Sequence, residues 1–338
     1  MVKSPLPRGR GPVAITGGSG RLGASLTFYL VSAGIDVRVL DIDPPTHGIP
    51  CDFRRVDIGR DLDLRPTLEG CWALVHLAAL HGPDLLKGVP RRSFWSVNVD
   101  ATARALVASA DVGIARFVLA SSTSVYGSGS AEGMAARVLD ESTPVAPENI
   151  YDVSKLAAER LAQNARTDQL ATVALRFGRF FFPSQSDYHL RKLSTGLDVF
   201  DACQAVMASL TQSLNHRSLY CVASDLPLDR ASRERMGTDL EGVLESEVPG
   251  FVARIRKRGW SLPPRVGKSV DSSLIRRDLG FRPVRTLARL SGDPAAAPMT
   301  SAQSAEDSLS VSLLGPGGSS QETLADAIGW SRKRSPTC

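Results

Sequence analysis

The stretch that decides the fold is "VAITGGSGRLG", residues 13–23. Its first four residues form an apolar run, and three glycines follow in the pattern GxxGxxG, namely Gly17, Gly20 and Gly23. Gly17 permits a tight turn, Gly20 lets the backbone approach a pyrophosphate, and Gly23 lets the next helix pack closely on the strand. We therefore expect a strand, a turn and a helix whose N-terminus binds the phosphates of a dinucleotide.

The next strand ends in an acidic residue, Asp41, eighteen residues beyond Gly23. A carboxylate there can accept hydrogen bonds from both hydroxyls of an adenosine ribose and repels a 2′-phosphate, so NAD is expected rather than NADP. Arg21, in the loop, and Arg38, inside the strand, are a counter-signal, since a guanidinium could bind that phosphate. Both are nevertheless expected to be surface or helix residues. In the structural alternative, Asp41 merely ends a strand.

Short β-rich runs alternate with helical patterns along most of the chain. The predicted strands are VAIT (13–16), DVRVLD (36–41), RRVD (54–57), ALVHLAA (73–79), RFVLASS (116–122) and TVALRF (172–177), and the predicted helices cover about 21–32, 93–111, 151–164 and 199–210. Near-continuous apolar strands are typical of a parallel sheet covered on both faces. The pattern predicts an α/β fold with a doubly wound (Rossmann) parallel sheet.

Four segments are expected along the chain. Residues 1–12 are predicted to be a flexible extension, 13–179 a dinucleotide-binding domain with the catalytic residues, and 180–291 the remaining sheet elements with a small substrate-binding region. Residues 292–338 are rich in Ser, Ala, Gly and Pro, which predicts a disordered tail because such a composition buries too little apolar surface to offset its ordering entropy. A short helix is expected at 322–330.

The composition excludes several classes of protein. The 338 residues are 43% apolar and 22% charged with a net charge of +5, and no apolar run is long enough to cross a membrane. The densest basic run, 254–260, predicts a solvated helix face, and no basic patch carries interleaved aromatics, so neither a membrane nor a nucleic-acid partner is expected. The N-terminus holds basic residues but no apolar segment before the first strand at residue 13, which predicts a cytoplasmic protein without a secretory signal. Five cysteines without CxxC spacing indicate reduced thiols and no metal site.

The segment "NIYDVSK" places Tyr151 four residues before Lys155. Positions four apart lie on one face of a helix, so a phenol could sit beside an ammonium. The spacing alone is equally typical of a half-buried tyrosine with a solvated lysine.

Whether Tyr151 and Lys155 are catalytic is decided by a series of motifs that follow one another along the chain. They are "TGGSGRLG", "RRVD", "HLAA", "VNVDATARAL", "SSTSVYG", "YDVSK" and "LRFG". Together they resemble the extended short-chain dehydrogenase/reductase superfamily, in its NAD-dependent epimerase/dehydratase branch, from about residue 13 to 290. The short segment after "LRFG" is most similar to the uronate-type sugar dehydrogenases of that superfamily.

The resemblance implies that Tyr151 is the general acid/base and that Lys155 favours its phenolate and holds the nicotinamide ribose. It implies that Ser122 binds the reacting oxygen, with Ser121 and Ser124 as close competitors. A free phenol has a pKa near 10, so about 4 kcal/mol of interaction would be needed to bring it to about 7. The expected cofactor-binding residues are Gly17, Gly20, Arg21, Leu22, Gly23, Asp41, Asp57, Ile58, Leu77, Ala78, Ala79, Tyr151 and Lys155. Asn98 is expected to stabilise the fold.

The substrate is harder to predict. The residues expected to contact it are His81, Ser122, Thr123 and Arg179, which stands where sugar-nucleotide enzymes of the family often carry Asn. Only about twenty residues separate Phe180 from the next helix, where the nucleotide-sugar enzymes insert several dozen. Arg179, Arg191 and Lys192 are candidate anchors for an acidic group, or a basic rim unrelated to substrate.

The leading hypothesis is an NAD-dependent dehydrogenase or reductase acting on a carbinol or carbonyl of a small sugar-like molecule. The alternative is a nucleotide-sugar epimerase or dehydratase, in which bound NAD oxidises the sugar transiently. A third hypothesis is a non-catalytic dinucleotide-binding sensor. By analogy with the family, a homodimer is expected.

Overall fold

The computed structural model describes residues 10–45, 48–180, 184–214 and 217–286. The strands are β1 (Val13–Thr16), β2 (Val37–Asp41), β3 (Asp52–Arg55), β4 (Ala73–His76), β5 (Arg116–Ser122), β6 (Arg137–Leu139), β7 (Ala171–Phe177), β8 (Leu219–Val222) and β9 (Lys268–Val270). The helices are α1 (Arg21–Ser32), α2 (Arg65–Leu68), α3 (Gly82–Leu86), α4 (Arg91–Trp95), α5 (Ala101–Asp111), α6 (Ile150–Asn164), α7 (Gln185–Leu190), α8 (Val199–Thr211), α9 (Arg230–Arg235), α10 (Leu240–Glu247), α11 (Phe251–Lys257) and α12 (Ser273–Leu279).

Within the described residues, seven parallel strands form one sheet in the order β3-β2-β1-β4-β5-β7-β8. The chain moves outward from β1 to β3, then returns to the other side of β1 with β4. A crevice forms at such a switch point, beyond the carboxyl ends of the strands, and this is where doubly wound folds bind ligands. The predicted α/β fold class is confirmed, and β6 and β9 form a separate parallel pair.

Both faces of the sheet are covered by helices, as the apolar strands require. Leu26 and Leu30 of α1 and Val206 of α8 belong to the core on one face, and Ala105 of α5 and Ala158 of α6 belong to the core on the other. A third, smaller core joins α9, α10 and α11. This small core supplies the C-terminal region beside the crevice.

Three elements differ from their predicted bounds by two residues or more. β3 lies two residues earlier than "RRVD", because the chain turns at Asp57, whose Oδ1 accepts a hydrogen bond from Gly59 N at 3.0 Å. β4 ends at His76 instead of continuing to residue 79. The helix predicted over 93–111 begins at Arg91 and contains a π-helical segment, Ser96–Asp100. π-helical turns inside helices occur frequently at functional sites.

The segment after α12 is tied to the start of α8. Asp201 accepts hydrogen bonds from the backbone nitrogens of Val284, at 2.9 Å, and Arg285, at 3.2 Å. The Lys192 Nζ donates to the Arg285 carbonyl oxygen. Burial and the neighbouring Asp198 raise the pKa of Asp201 to about 7, and burial lowers the pKa of Lys192 to about 8. We call Lys192, Asp201, Val284 and Arg285, which these hydrogen bonds join, the C-terminal clasp.

Some sequence predictions fall outside the described residues. These are the tail at 292–338, the short helix at 322–330 and most of the extension at 1–12. In the part of the chain that the structure describes, no helix is both long and apolar enough to span a bilayer.

The packing of α1 against the glycine loop gives a stability prediction. A Cβ at Gly23 would lie 2.1 Å from the Gly17 carbonyl oxygen, whereas a Cβ at Gly20 would lie 3.2 Å from the same atom. We expect Gly23→Ala to lower the free energy of unfolding by about 1–3 kcal/mol, because backbone atoms must move apart. Gly20→Ala is the control and should cost less than about 1 kcal/mol. Equal losses in denaturant titrations would contradict this account of the loop.

Candidate active site

The residues predicted for the site lie at the carboxyl ends of neighbouring parallel strands. The glycine loop follows β1, Asp41 ends β2, Ala78 follows β4, Ser122 ends β5 and Arg179 follows β7. Because all these strands run in the same direction, their ends meet at one edge of the sheet. Residues far apart in sequence are thereby placed around one crevice.

The glycine loop is shaped by close backbone approaches. Gly17 has a φ of +69°, and a Cβ there would lie 2.8 Å from the Ala78 nitrogen, so only glycine fits between the loop and the chain leaving β4. Gly20 is the N-cap of α1 and carries no side chain to cover the first turn. Unpaired backbone N–H groups at such a helix start suit a pyrophosphate.

Asp41 is fixed by the same loop. Its Oδ2 accepts a hydrogen bond from Ser19 N at 2.9 Å, and its Oδ1 accepts one from Asp43 N at 3.2 Å. The half-buried carboxylate is therefore held beside the glycine loop, where an adenosine ribose would lie. This geometry is compatible with the predicted recognition of the ribose hydroxyls.

The two arginines differ in their surroundings. Arg38 of β2 is held by Asp52 of β3, with Nε to Oδ2 at 2.7 Å, and it donates to the carbonyl oxygens of Thr67 and Glu69. Arg38 is thus engaged by protein groups and is not available to a cofactor phosphate. Arg21 is exposed at the start of α1.

The remaining predicted cofactor residues divide into core and crevice positions. Leu22, Ile58 and Leu77 are buried members of the hydrophobic cores, so their side chains support the loops. Ala78 and Ala79 are half-buried directly after β4. Asp57 is half-buried after β3, where it pairs loosely with Arg60 at 3.5 Å.

Helix α6 carries the predicted acid/base pair. Asn149 caps the helix by accepting a hydrogen bond from Asp152 N at 3.1 Å, so Tyr151 falls in the first turn. Burial raises the pKa of Tyr151, and hydrogen bonding with Ser122 lowers it. The structure therefore brings Ser122 and Tyr151 together, while the net direction of the pKa shift leaves the phenol protonated at neutral pH.

Lys155 lies one turn further along α6. Its Nζ donates to the Ala120 carbonyl oxygen of β5 at 2.9 Å. The side chain is 5% exposed, and burial lowers its pKa to about 8 although Glu159 opposes the shift. Lys155 is thus a buried cation next to the strand that ends in Ser122.

The competing serines have other surroundings. Ser121 Oγ donates to Glu159 Oε1 at 2.5 Å inside the protein. Ser124 donates its backbone nitrogen to Ser122 Oγ at 3.1 Å, and its own Oγ is buried. Of the three hydroxyls, that of Ser122 is the one associated with Tyr151. Thr123 is buried in the 3₁₀ turn after β5.

His81 is a wall of the crevice. Its ring meets the Tyr151 ring edge to face, with 6.4 Å between the centroids. Surrounding protein atoms and the Lys155 charge lower its pKa, while part of the residue stays exposed. A neutral imidazole at this point can accept a hydrogen bond from a substrate hydroxyl.

Asn98 ties the crevice wall to α6. Its Oδ1 accepts from Leu80 N at 2.8 Å, and its Nδ2 donates to Leu80 O at 3.0 Å and to Ser154 Oγ at 2.9 Å. All these partners are protein groups, as expected for a residue that stabilises the fold.

The three candidate anchors for an acidic group are not equivalent. Arg179 is exposed just after β7, at the crevice edge. Arg191 is exposed and lies 3.9 Å from Asp187. Lys192 is 1% exposed, lies over the Tyr188 ring at 4.1 Å and belongs to the C-terminal clasp, so it is not an anchor for substrate.

Sequence reasoning missed a buried ion pair behind the site. Glu159 of α6 receives two hydrogen bonds from Arg176 of β7, at 2.9 and 2.7 Å, and both residues are buried. Arg176 also donates to Tyr126 Oη at 2.8 Å. The available signal was Arg176, the charged residue of the mostly apolar strand β7.

The doubly wound sheet and the glycine loop are those of a dinucleotide-binding protein. The family model "NAD dependent epimerase/dehydratase family" matches residues 13–210, more than half of the chain, and the protein belongs to this family. The resemblance of the sequence motifs is thus confirmed. The cofactor of the family is NAD, and the glycine cradle and Asp41 fit it.

Individual proteins resemble the chain over part of its length. A Haloferax volcanii protein named NAD-dependent glucose-6-phosphate dehydrogenase is 28% identical over 166 residues, which are 45% of this chain and 62% of that protein. A Mycobacterium tuberculosis 3 beta-hydroxysteroid dehydrogenase/Delta 5-->4-isomerase is 34% identical over 178 residues, 49% of this chain and 46% of that protein. These curated relatives are therefore matched over less than two thirds of their own length.

A solved structure is similar over a longer stretch. MoeE5 in complex with UDP-glucuronic acid and NAD is 26% identical, with a TM-score of 0.59, and the match covers 81% of this chain and 94% of that one. Among the described residues of our protein, no group of three or more His, Cys, Asp or Glu side chains could hold a metal ion.

The position of Asp41 predicts cofactor preference. Asp41→Asn keeps an oxygen for the Ser19 nitrogen but removes the charge that repels a 2′-phosphate. We expect the ratio of the Kd for NADP to the Kd for NAD to fall by about tenfold or more, which a charge at a few ångströms can supply. Calorimetric titration with both cofactors measures this ratio. Asp43→Asn, an exposed neighbour, is the control. An unchanged ratio in Asp41→Asn would place the ribose elsewhere.

Proposed function

We propose that the protein is an NAD-dependent oxidoreductase that transfers hydride between NAD and a carbinol or carbonyl carbon of a small sugar-like substrate. The observation that carries the proposal is the association of Ser122 with Tyr151 at the sheet edge that also holds the glycine cradle. Lys155 lies on the same helix, and this arrangement supports catalysis over a purely sensing function. The hydroxysteroid and sugar names of the relatives belong to those proteins, and the substrate must be measured.

Each residue has a chemical task. Ser122 would hydrogen-bond the reacting oxygen and orient it toward the phenol. Tyr151 would take the hydroxyl proton during oxidation and return it during reduction. NAD supplies the carbon that accepts the hydride, and its ring is cationic before transfer. Because burial raises the pKa of Tyr151, positive charge nearby is needed to favour the phenolate. The Lys155 ammonium, one turn away on the same helix, would contribute that charge.

The crevice favours a polar, acidic substrate. His81 offers an imidazole nitrogen beside Tyr151, and the exposed guanidinium of Arg179 can bind a carboxylate or phosphate in a bidentate manner. The segment between β7 and α8 is short, with α7 as its main element. A sugar acid or sugar phosphate would use these groups without a large nucleotide-binding insert.

The second candidate is a nucleotide-sugar epimerase or dehydratase. MoeE5 supports it, because that protein was solved with UDP-glucuronic acid although the match covers 94% of its chain. A short substrate region is therefore compatible with a nucleotide sugar. Both candidates would use Ser122, Tyr151 and Lys155, and they differ in whether the hydride returns to the product.

Turnover of defined substrates tests the proposal. Purified protein with NAD is assayed against glucuronate, glucose 6-phosphate, UDP-glucuronic acid, UDP-glucose and a 3β-hydroxysteroid. We expect lasting NADH absorbance with a free sugar acid or sugar phosphate. We expect Tyr151→Phe to bind NAD normally and to lose at least about a hundredfold in rate, since general acid–base catalysis contributes that much.

The control is Tyr220→Phe, which removes a hydroxyl 3.5 Å from Asp278 and away from the crevice. It should keep wild-type turnover. Altered nucleotide sugar without net NADH would favour the second candidate, and oxidation of the steroid alone would refute a sugar-like substrate. Absence of turnover throughout the panel, with NAD bound, would favour a sensor.

We also propose that the protein acts as a homodimer in the cytoplasm. Trp95 of α4 and Val107 of α5 are apolar but 44% and 63% exposed, and α6 adds the exposed Val153. Apolar residues on neighbouring helices suit a self-complementary interface. Light scattering after gel filtration should give a dimer mass for the wild type and a monomer mass for Val107→Glu. Met134→Glu, equally exposed elsewhere, should leave the mass unchanged, and a monomeric wild type would refute the dimer.

A further inference from the structure

Behind the crevice lies a buried chain of charged and polar side chains that the proposed mechanism does not use. It runs from Ser121 through Glu159 to Arg176 and then to Tyr126. Tyr126 Oη in turn donates to the Asp140 carbonyl oxygen at 2.6 Å. These residues come from β5, α6, β7 and the turn after β5, so the chain connects every element that carries the acid/base groups.

Glu159 is the centre of this chain. It is 1% exposed and lies on α6 four residues after Lys155, which places both side chains on one face of the helix. One of its oxygens accepts from Ser121 and from Arg176 Nε, and the other accepts from Arg176 Nη2 at 2.7 Å. Both oxygens of the carboxylate are thus hydrogen-bonded, which fixes its orientation against the sheet.

The charge that the Glu159 carboxylate stabilises is the ammonium of Lys155. It is buried, and its Nζ has a backbone carbonyl as its hydrogen-bond acceptor. The titratable groups that interact with it are Glu159 on α6, His76 on β4 and His81 before α3. Tyr151 precedes it by one turn on α6, and Arg176 of β7 lies behind Glu159. Among them Glu159 is the anion, while burial lowers the pKa of His76 to about 3 and leaves it neutral.

We propose that Glu159 is a positioning residue that keeps Lys155 protonated and holds α6 in register with the strand ending in Ser122. The inference rests on the proposed catalytic task of Lys155. An isolated ammonium in a buried site loses its proton readily, and a carboxylate one turn away opposes that loss. Arg176 neutralises the carboxylate in turn and fixes its plane by a two-point contact. The pair therefore sets the pH range in which Tyr151 can act.

The test is a titration of Lys155 by carbon NMR of lysine labelled at Cε, with the signal assigned by its absence in Lys155→Met. In the wild type we expect a pKa of about 8. In Glu159→Gln the pKa should fall by about one pH unit or more, because the opposing carboxylate is gone. Glu159→Asp retains the charge and should restore part of the shift, and Glu245→Gln, exposed on α10, is the matched control.

Glu159→Gln leaves Arg176 buried without an anion and could prevent folding, since removing one partner of a buried ion pair is strongly destabilising. The double variant Glu159→Gln, Arg176→Met removes both charges and should fold. Its Lys155 pKa should still be lower than in the wild type, but by less than in Glu159→Gln, because the repulsion from Arg176 is lost together with the nearer carboxylate. An unchanged Lys155 pKa in either folded variant would overturn the proposal and leave Glu159 a purely structural residue.

Turnover gives a second readout. In Glu159→Gln the alkaline loss of kcat/KM should begin about one pH unit lower than in the wild type, in step with the Lys155 titration. A lower thermal stability with an unmoved pH profile would contradict the positioning role. The NMR titration needs no substrate, so absence of turnover in the wild type would refute the proposed function without deciding the Lys155 result.

Discussion

The ion pair between Glu159 and Arg176 is the contact on which the geometry of the site depends. It joins α6 to β7, and Ser121 joins the same carboxylate to β5. Burying two charges is expensive, and the cost is recovered only when hydrogen bonds satisfy them. Here both carboxylate oxygens are bonded, and Arg176 also packs over the Tyr126 ring at 4.8 Å. The result is a rigid support, since a shift of α6 would break several bonds together.

Much of the fold could be predicted from the sequence, because apolar strands and helix patterns alternate without interruption. The helices at 21–32, 151–164 and 199–210 were found with bounds within a residue or so. Edges were harder. β3 lies two residues earlier in the sequence than predicted because a turn at Asp57 ends it. A π-helical segment around Asn98 interrupts a helix whose apolar pattern predicted a regular α-helix. Hydrogen bonds from distant residues, such as those of Leu80, decide these local features.

The candidate site was predictable where backbone form requires a particular residue. A side chain at Gly17 would require a positive φ and would collide with Ala78, so glycine is needed there. Asp41 was predicted because it is the last residue of the second strand. Charged residues were less predictable. Arg38 and Lys192 looked like anion-binding groups, but one is held by Asp52 and the other is buried in the C-terminal clasp. A sequence shows a positive charge without showing which neighbours compensate it.

The C-terminal clasp determines how far along the chain the folded unit must extend. The backbone nitrogens of Val284 and Arg285 satisfy the carboxylate of Asp201, and the Arg285 carbonyl satisfies Lys192. A chain cut after α12 would keep every regular helix and strand of the described fold, yet it would leave two buried charges without these partners. The folded unit therefore needs the chain at least as far as residue 285, because these two charges are compensated by a segment that follows the last helix of the described residues.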